Sequence, residues 1–394
     1  MNILHLPKWY PHRYDDQDGD FVARHVAAIA AQPGGRSAVV FAAVARGPLG
    51  QLIEEEIDLR GPVPTWRYYY RARPTGLAPL DKPLKLLLWL WCQRRGLRAV
   101  RRHWAGQRPT MLHAHVLLRT GLLAWLLSRA WRIPYLLTEH WTAYLPPRVA
   151  SLPGWRRVLT RWVVRRAGAL HTVSGALAEA LAGLGARARR TAVIYNVIDT
   201  ELFRPALASP DEARRLLHVA AFHDDVKNLS GVLRVVARLR PAWPGLRLRV
   251  AGYGPDEPHL LALAAELGLL ADGTVQWLGK LPHAAVAAEM QAATALVSFS
   301  RAETFGVVLL EARACGRPVV ATRVGGVPEL FEPAGTYGLL VAPDDEAALL
   351  AALHAVLSQP AAFAPVVLRA SAEQCSPARV GRQFHELYTS LARG

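Results

Sequence analysis

Short apolar, β-branched runs separated by stretches of helical spacing pass through this chain twice, and that pattern leaves few folds open. The first series is Ile3 to Leu6, Ser37 to Ala43, Met111 to His115, Pro134 to Thr138 and Ala169 to Val173. The second is Leu216 to Ala221, Arg247 to Ala251, Val275 to Leu278, Ala295 to Phe299, Val319 to Thr322 and Leu339 to Val341. Runs of this length read as strands, and stretches such as Phe21 to Ala31 read as amphipathic helices. Strand and helix in alternation call for a parallel sheet covered on both faces. Two series therefore predict an α/β chain of two Rossmann-like, doubly wound domains, 1–198 and 199–375. The joint falls near Tyr195-Asn196-Val197-Ile198-Asp199, and 376–394 reads as a closing amphipathic helix. At 394 residues, each half can bury its own core.

Cys92, Cys315 and Cys375 are odd in number and widely spaced, so neither a disulfide framework nor a zinc site is indicated. Ile3 to Leu6 runs directly into Pro7-Lys8-Trp9-Tyr10-Pro11 and reads as a first strand, not a secretory signal. Apolar stretches such as Leu86 to Cys92 are far below the ~20 residues a membrane span needs. A cytoplasmic location is the expectation. Charge is uneven: residues 1–200 hold 29 Lys plus Arg against 12 Asp plus Glu, net +17, while residues 201–394 hold 18 against 19, net −1. A biased composition would spread through both halves, so the split points to an anionic partner for the first domain, a cytoplasmic leaflet before a polyphosphate. Peripheral membrane attachment follows as an expectation. Without an RNA- or DNA-binding motif no nucleic-acid partner is expected, and a basic nucleic-acid-binding protein stands only as an alternative. Pro83 to Trp104 begins apolar and ends in arginines, which fits a core helix with a solvated basic end or an interfacial helix with snorkelling arginines.

The most informative motif is Arg301-Ala302-Glu303-Thr304-Phe305-Gly306-Val307-Val308-Leu309-Leu310-Glu311-Ala312. Two carboxylates eight residues apart flank a turn that opens a helix. Free N–H groups at such a start suit a pyrophosphate. Glu311, about five residues and roughly 7.5 Å along the axis, can accept from a ribose diol while Glu303 takes hydroxyls of a sugar, since carboxylates are acceptors only.

Together with Gly316-Arg317-Pro318-Val319-Val320-Ala321-Thr322 and Gly325-Gly326-Val327-Pro328-Glu329, this motif resembles the signature of retaining glycosyltransferases of family GT4, which have the GT-B fold. The resemblance implies two Rossmann-like domains facing a central cleft, with the acceptor on the first, a nucleoside-diphosphate sugar on the second, and the last helix crossing back onto the first. It implies transfer of a hexosyl group to an acceptor hydroxyl, with cell-envelope polysaccharide or glycolipid synthesis as the expected setting, and the charge split adds the expectation of a lipid-linked or membrane-presented acceptor. An epimerase or phosphorylase sharing the fold is the alternative enzyme.

The resemblance also assigns residues. Glu303 and His115, the match to the family's histidine beside the reacting sugar, form the catalytic group. Gly19, Lys227, Thr304, Phe305, Gly306, Val307, Val308 and Glu311 bind the donor. Gly252, Gly254, Lys280 and Leu281 lie where the family reads the base, and His113, Glu139 and His140 are acceptor-side candidates. Ala221 or Phe222 stands where members usually carry a phosphate-binding arginine, which leaves Lys227 with the backbone dipoles. Asp16-Gln17-Asp18 spells the metal motif of another glycosyltransferase class, but GT-B enzymes generally need no divalent metal for the chemistry, and neither metal nor cofactor is expected here.

Overall fold

The computed structural model describes residues 1–206 and 214–393. Its first sheet contains β1 (Asn2–Pro7), β2 (Arg36–Val44), β3 (Ile53–Asp58), β4 (Thr65–Tyr70), β5 (Met111–His115), β6 (Tyr135–Glu139), β7 (Ala169–Thr172) and β8 (Thr191–Val193), in the order β3-β4-β2-β1-β5-β6-β7-β8. All its pairings are parallel except β3 with β4. The second sheet contains β9 (Arg215–Ala221), β10 (Arg247–Tyr253), β11 (Val275–Gly279), β12 (Ala295–Ser298), β13 (Val319–Thr322) and β14 (Gly338–Val341), in the order β11-β10-β9-β12-β13-β14, all parallel.

Three of these strands carry no long apolar run. β3 reads Ile-Glu-Glu-Glu-Ile-Asp and can be a strand because it sits at an edge, where its glutamates meet arginines: Glu54 with Arg13 at 2.7 Å, Glu55 with Arg95 at 3.0 Å and Glu56 with Arg67 at 3.3 Å. β4 is aromatic and almost wholly buried, and β8 is three residues long.

Chain order reverses between β1 and β5 in the first sheet and between β9 and β12 in the second. Ligands of doubly wound sheets bind beyond the carboxyl ends of the strands at such a reversal. Helix Pro377–Ala392 buries Val380, Phe384, Tyr388 and Leu391 in one cluster with Ile3, Met111 and Leu136 of the first domain. It lies hard against helix Asp20–Ala30, because Gly381 offers no side chain where a Cβ would stand 2.3 Å from the carbonyl oxygen of Ala28. The last segment thus completes the first domain's core and ties the two chain ends together.

Candidate active site

The turn before helix Val307–Ala314 is shaped by glycines. Gly306 caps the helix at φ 89°. A Cβ on Gly325 would lie 1.8 Å from the carbonyl oxygen of Glu303, and one on Gly326 would lie 2.4 Å from that of Thr304. The glycine pair therefore braces the turn from behind, and the exposed end of the helix faces the interdomain cleft. Phe305 turns inward onto Tyr195, with ring centroids 5.1 Å apart.

Two adjoining cavities occupy the cleft. One, of about 290 Å³, is lined by Phe21, His140, Asn196, Lys227, Glu303 and the segment Thr304 to Val308. The other, of about 350 Å³, is lined by Arg24, Gly252, Tyr253, Lys280, Leu281 and Glu311. Ala220, Ala221, Val307 and Val308 border both, so the carboxyl end of β9 and the start of the helix form their common floor.

Each glutamate of the motif already holds a cation. Lys227 Nζ lies 2.5 Å from Glu303 Oε2, and Arg24 Nη1 lies 2.6 Å from Glu311 Oε1. The second pair crosses from the first domain to the second, and its side chains are 14% and 5% exposed, so water screens it little. Burial works against the charge of Arg24, but Glu311 and Asp20, 2.7 Å from its Nε, more than offset that and raise its pKa. Lys227 is aimed by Arg301, which donates to the Asp224 carbonyl and to Asn228 Oδ1, both at 2.8 Å, on either side of it. Phe222, where the family's arginine is expected, is buried against Trp277. Arg24, supplied by the opposite domain, brings a cation to the neighbouring cavity, which Lys280 also lines. Its sequence signal was only a basic residue four positions after Asp20 in an amphipathic helix.

At the far end of the cleft the loop after β1 reaches across. Lys280 pairs with Asp16, Gln17 Nε2 donates to the Leu281 carbonyl at 3.0 Å, and the Tyr253 hydroxyl donates to Asp15 at 2.8 Å. Asp16 and Asp18 are engaged separately, with Lys280 and, at 3.3 Å, with His12, so Asp16-Gln17-Asp18 does not converge on a common point. Gly252 lines the cavity, but Gly254 serves packing, since a Cβ there would stand 2.5 Å from the Phe222 carbonyl oxygen. Gly19 is also corrected: at φ 67° it sits against the Trp9–Tyr10 backbone, 2.3 Å from a would-be Cβ, and it acts by starting the helix that carries Phe21 and Arg24 into the cleft.

The histidines require the largest correction. His113 and His115 share one sheet face, as strand alternation requires, but helices Asp20–Ala30 and Pro377–Ala392 cover that face, and both are fully buried. His115 Nε2 lies 3.3 Å from His5 Nδ1, while His113 is held by the Tyr388 hydroxyl at 2.7 Å and Thr138 Oγ1 at 2.6 Å. Neither borders the cleft. His5, His113 and His115 bring ring nitrogens within 4.8 Å of one another, the geometry of a metal trio. Both nitrogens of His113 and of His5 are already hydrogen-bonded, however, so the trio reads as core. Glu139 is likewise internal, accepting from the backbone N–H groups of Leu117, His140 and Trp141 at 3.1, 2.8 and 2.9 Å. Burial raises its pKa, against these donors and Lys8.

His140 is the histidine that reaches the site. It borders the cavity of Lys227 and Glu303, with Phe21 packed on its ring at 4.6 Å, and both ring nitrogens lack a partner within the protein. Burial first, then His25 and His171, hold it neutral, its pKa well below 6.5. Asn196, named above only as part of the joint, borders the same cavity with its Oδ1 unpaired. Unpaired buried polar atoms at a cavity wall are the groups a ligand would satisfy. Glu329 of the second motif lies elsewhere, capping helix Gly175–Gly183 through the N–H groups of Gly175 and Ala176 at 2.9 and 2.7 Å.

Comparison with known proteins agrees with this architecture. Residues 20–197 match the family described as Glycosyl transferase 4-like domain, and residues 213–359 match Glycosyl transferases group 1. A D-inositol 3-phosphate glycosyltransferase of Corynebacterium urealyticum is 32% identical over 315 residues, 73% of this chain and 72% of that protein. A glycogen synthase of Mycobacterium tuberculosis is 31% identical over 68% of this chain and 65% of its own length. Among solved structures, sucrose-phosphate synthase of Thermosynechococcus elongatus superposes with a TM-score of 0.76 at 21% identity, covering 99% of each chain. Anabaena HepE in complex with UDP-glucose gives 0.72 at 20% identity, covering 99% of this chain and 100% of its own. The nucleic-acid-binding, epimerase and phosphorylase alternatives give way to these matches. With its two facing parallel sheets and its glutamate-flanked helix start, the chain belongs to the GT4 glycosyltransferases of GT-B fold, enzymes that transfer sugars.

Proposed function

We infer that this enzyme moves a hexosyl group from a nucleoside-diphosphate sugar to an acceptor hydroxyl with retention, without a resident metal. The observation that carries this reading is that both glutamates of one helix start are held by cations inside one cleft. A nucleotide sugar fits such a cleft by exchange. Sugar and ribose hydroxyls replace the cations on Glu303 and Glu311, and the diphosphate replaces the glutamates on Lys227 and Arg24. The N–H groups of Val307 and Val308 complete the phosphate site. Lys280, Leu281, Gly252 and Tyr253 stand where the base would lie, while neutral His140 and Asn196 face the sugar.

In the reaction, the bond from the anomeric carbon to phosphate oxygen breaks, the acceptor oxygen bonds the same face, and the acceptor proton passes to the departing phosphate. Lys227, Arg24 and the helix dipole stabilise that charge where it develops, which is electrostatic catalysis. We place the acceptor on the anionic cytoplasmic face of a membrane, in envelope polysaccharide or glycolipid synthesis, from the +17 charge of residues 1–200. The relatives named for inositol 3-phosphate and glycogen favour a second reading, a soluble polyol or glucan acceptor.

A panel of sugar nucleotides screened by thermal unfolding tests the donor, since a ligand at ~100 times its Kd adds about 2.7 kcal/mol. The cognate donor should also release free nucleoside diphosphate faster when acceptor is added, and activity should survive EDTA. No stabilisation by any sugar nucleotide would contradict the reading, and loss in EDTA with rescue by Mn²⁺ would contradict metal independence.

A further inference from the structure

Helix Ala78–His103 packs one face on the first sheet through Leu88, Trp89, Cys92, Gly96 and Val100. Its opposite face should be polar in a helix bordered by water. Over the first four turns it is not: Leu80, Leu87 and Trp91 are 53%, 60% and 48% exposed, and Leu77, just before the helix, is 59% exposed. Positions 80, 87 and 91 fall on one stripe of the helix. Leu52, just before the edge strand and 46% exposed, borders the same surface as Leu87 and Trp91. A contiguous apolar patch of this kind marks a partner.

The charges around it say which partner. Arg71, Arg73 and Lys82 are exposed at the apolar end, and Arg94, Arg98, Arg101 and Arg102 continue along the helix. The carboxylate in this stretch, Asp81, turns inward to accept from Thr75 N and Oγ1 at 3.0 and 2.8 Å, and Glu55 on the neighbouring strand is neutralised by Arg95. Leucines and a tryptophan ringed by cations are complementary to an anionic lipid leaflet, which takes the apolar residues below its headgroups and the cations among them. Placement agrees. The helix follows β4, so its apolar turns stand at the carboxyl edge of the first sheet, the edge from which the cleft opens.

We propose that the apolar first half of helix Ala78–His103, with the loop of Arg71 and Arg73, is the surface that seats this enzyme on an anionic leaflet and brings the cleft to a lipid-borne acceptor. The inference rests on the membrane reading given above and assigns the residues that carry it. Co-sedimentation with vesicles of phosphatidylglycerol and phosphatidylcholine, against phosphatidylcholine alone, tests both separately. The full chain should partition onto the anionic vesicles and come off as salt rises, because the attraction decays within about 8 Å at physiological salt. Leu87→Gln with Trp91→Gln should lower partitioning at least tenfold. Arg73→Gln with Lys82→Gln should lower it about thirtyfold on anionic vesicles, at roughly fivefold per cation. All four positions are exposed, so thermal midpoint and donor affinity should stay at the wild-type value. Failure of the wild type to bind either vesicle would sink the membrane reading and this surface with it. Wild-type binding that both variants retain would leave the membrane reading standing and overturn the surface. A wild-type dimer that Leu87→Gln with Trp91→Gln turns into a monomer, with vesicle binding unchanged, would assign the patch to a second copy of the chain instead.

Discussion

The two domains handle polar groups in opposite ways. The first keeps most of its charged residues outside, Glu139 and Asp81 apart, and buries six neutral histidines, His5, His25, His113, His115, His140 and His171, as neighbouring rings between sheet and helices. The second has almost no net charge and directs its key charged groups inward, as Lys227 and Glu303 at the cleft and Arg301 behind them. The difference separates two kinds of buried polarity. Histidines packed ring on ring under a helix are part of the core. Pairs of opposite charge lining a cavity are where we propose that the donor exchanges, and the first domain reaches those cavities with Phe21, Arg24, His140 and Asn196.

That contrast breaks most sharply at Lys227. Lys227→Ala removes the cation expected to meet the leaving diphosphate and frees Glu303 as an unpaired carboxylate. Losses of about 100- to 1,000-fold in kcat/KM should follow, the scale of removing one preorganised stabilising group. A steady-state assay of nucleoside diphosphate release measures it, and wild-type kcat/KM would return Lys227 to an ordinary surface role.

The histidines give the next largest effect, and it is a crossed one. His115→Ala should lower stability by about 2–4 kcal/mol, through a cavity and a lost hydrogen bond, with turnover per folded molecule retained. His140→Ala should lower turnover by about tenfold or more, with a smaller change in the unfolding midpoint. The reverse pattern would restore His115 to the site.

Why His115 read as catalytic is instructive. The strand Met111–His115 was legible to the residue, and so was its position at a carboxyl end of the sheet. What sequence does not carry is which face of a strand the distant helix Pro377–Ala392 will cover. The glutamate-flanked helix start was legible because it is local: turn, cap and glutamates lie within one stretch, and only the bracing by Gly325 and Gly326 comes from elsewhere. Arg24 was not, because its meaning depends on Glu311, far along the chain and across the cleft. β3 escaped because ion pairs from three separate segments stand in for the apolar run that marks other strands.

Acid separates the domains more gently. Burial lowers the pKa of His5 and His171 to about 3 and of His25 to about 4, below the 6.5 of the unfolded chain. Between those values the unfolded chain binds protons that the folded one refuses. Stability is therefore complete above about pH 6.5 and falls as pH drops toward 4, by at most about 1.4 kcal/mol per pH unit for each such histidine. The second domain buries a comparable His218, at about 4, so the first domain should loosen first. Ten of the twelve tryptophans lie in residues 1–198, and intrinsic fluorescence followed from pH 7 to 4 reports on it. A flat signal over that range would show that the histidine network does not limit stability.

The most direct test is a calorimetric titration of the cognate sugar nucleotide into wild type and Glu311→Ala. Glu311 is the carboxylate held from the opposite domain by Arg24, and the exchange of that cation for ribose hydroxyls is the center of the proposed donor site. The expected result is donor affinity lower by about 10- to 100-fold, the worth of hydrogen bonds to a charged group, together with a lowered unfolding midpoint because buried Arg24 loses one of its two carboxylate partners. Unchanged donor affinity in Glu311→Ala would contradict it, and would leave the Arg24–Glu311 pair as a fixed strut between the domains.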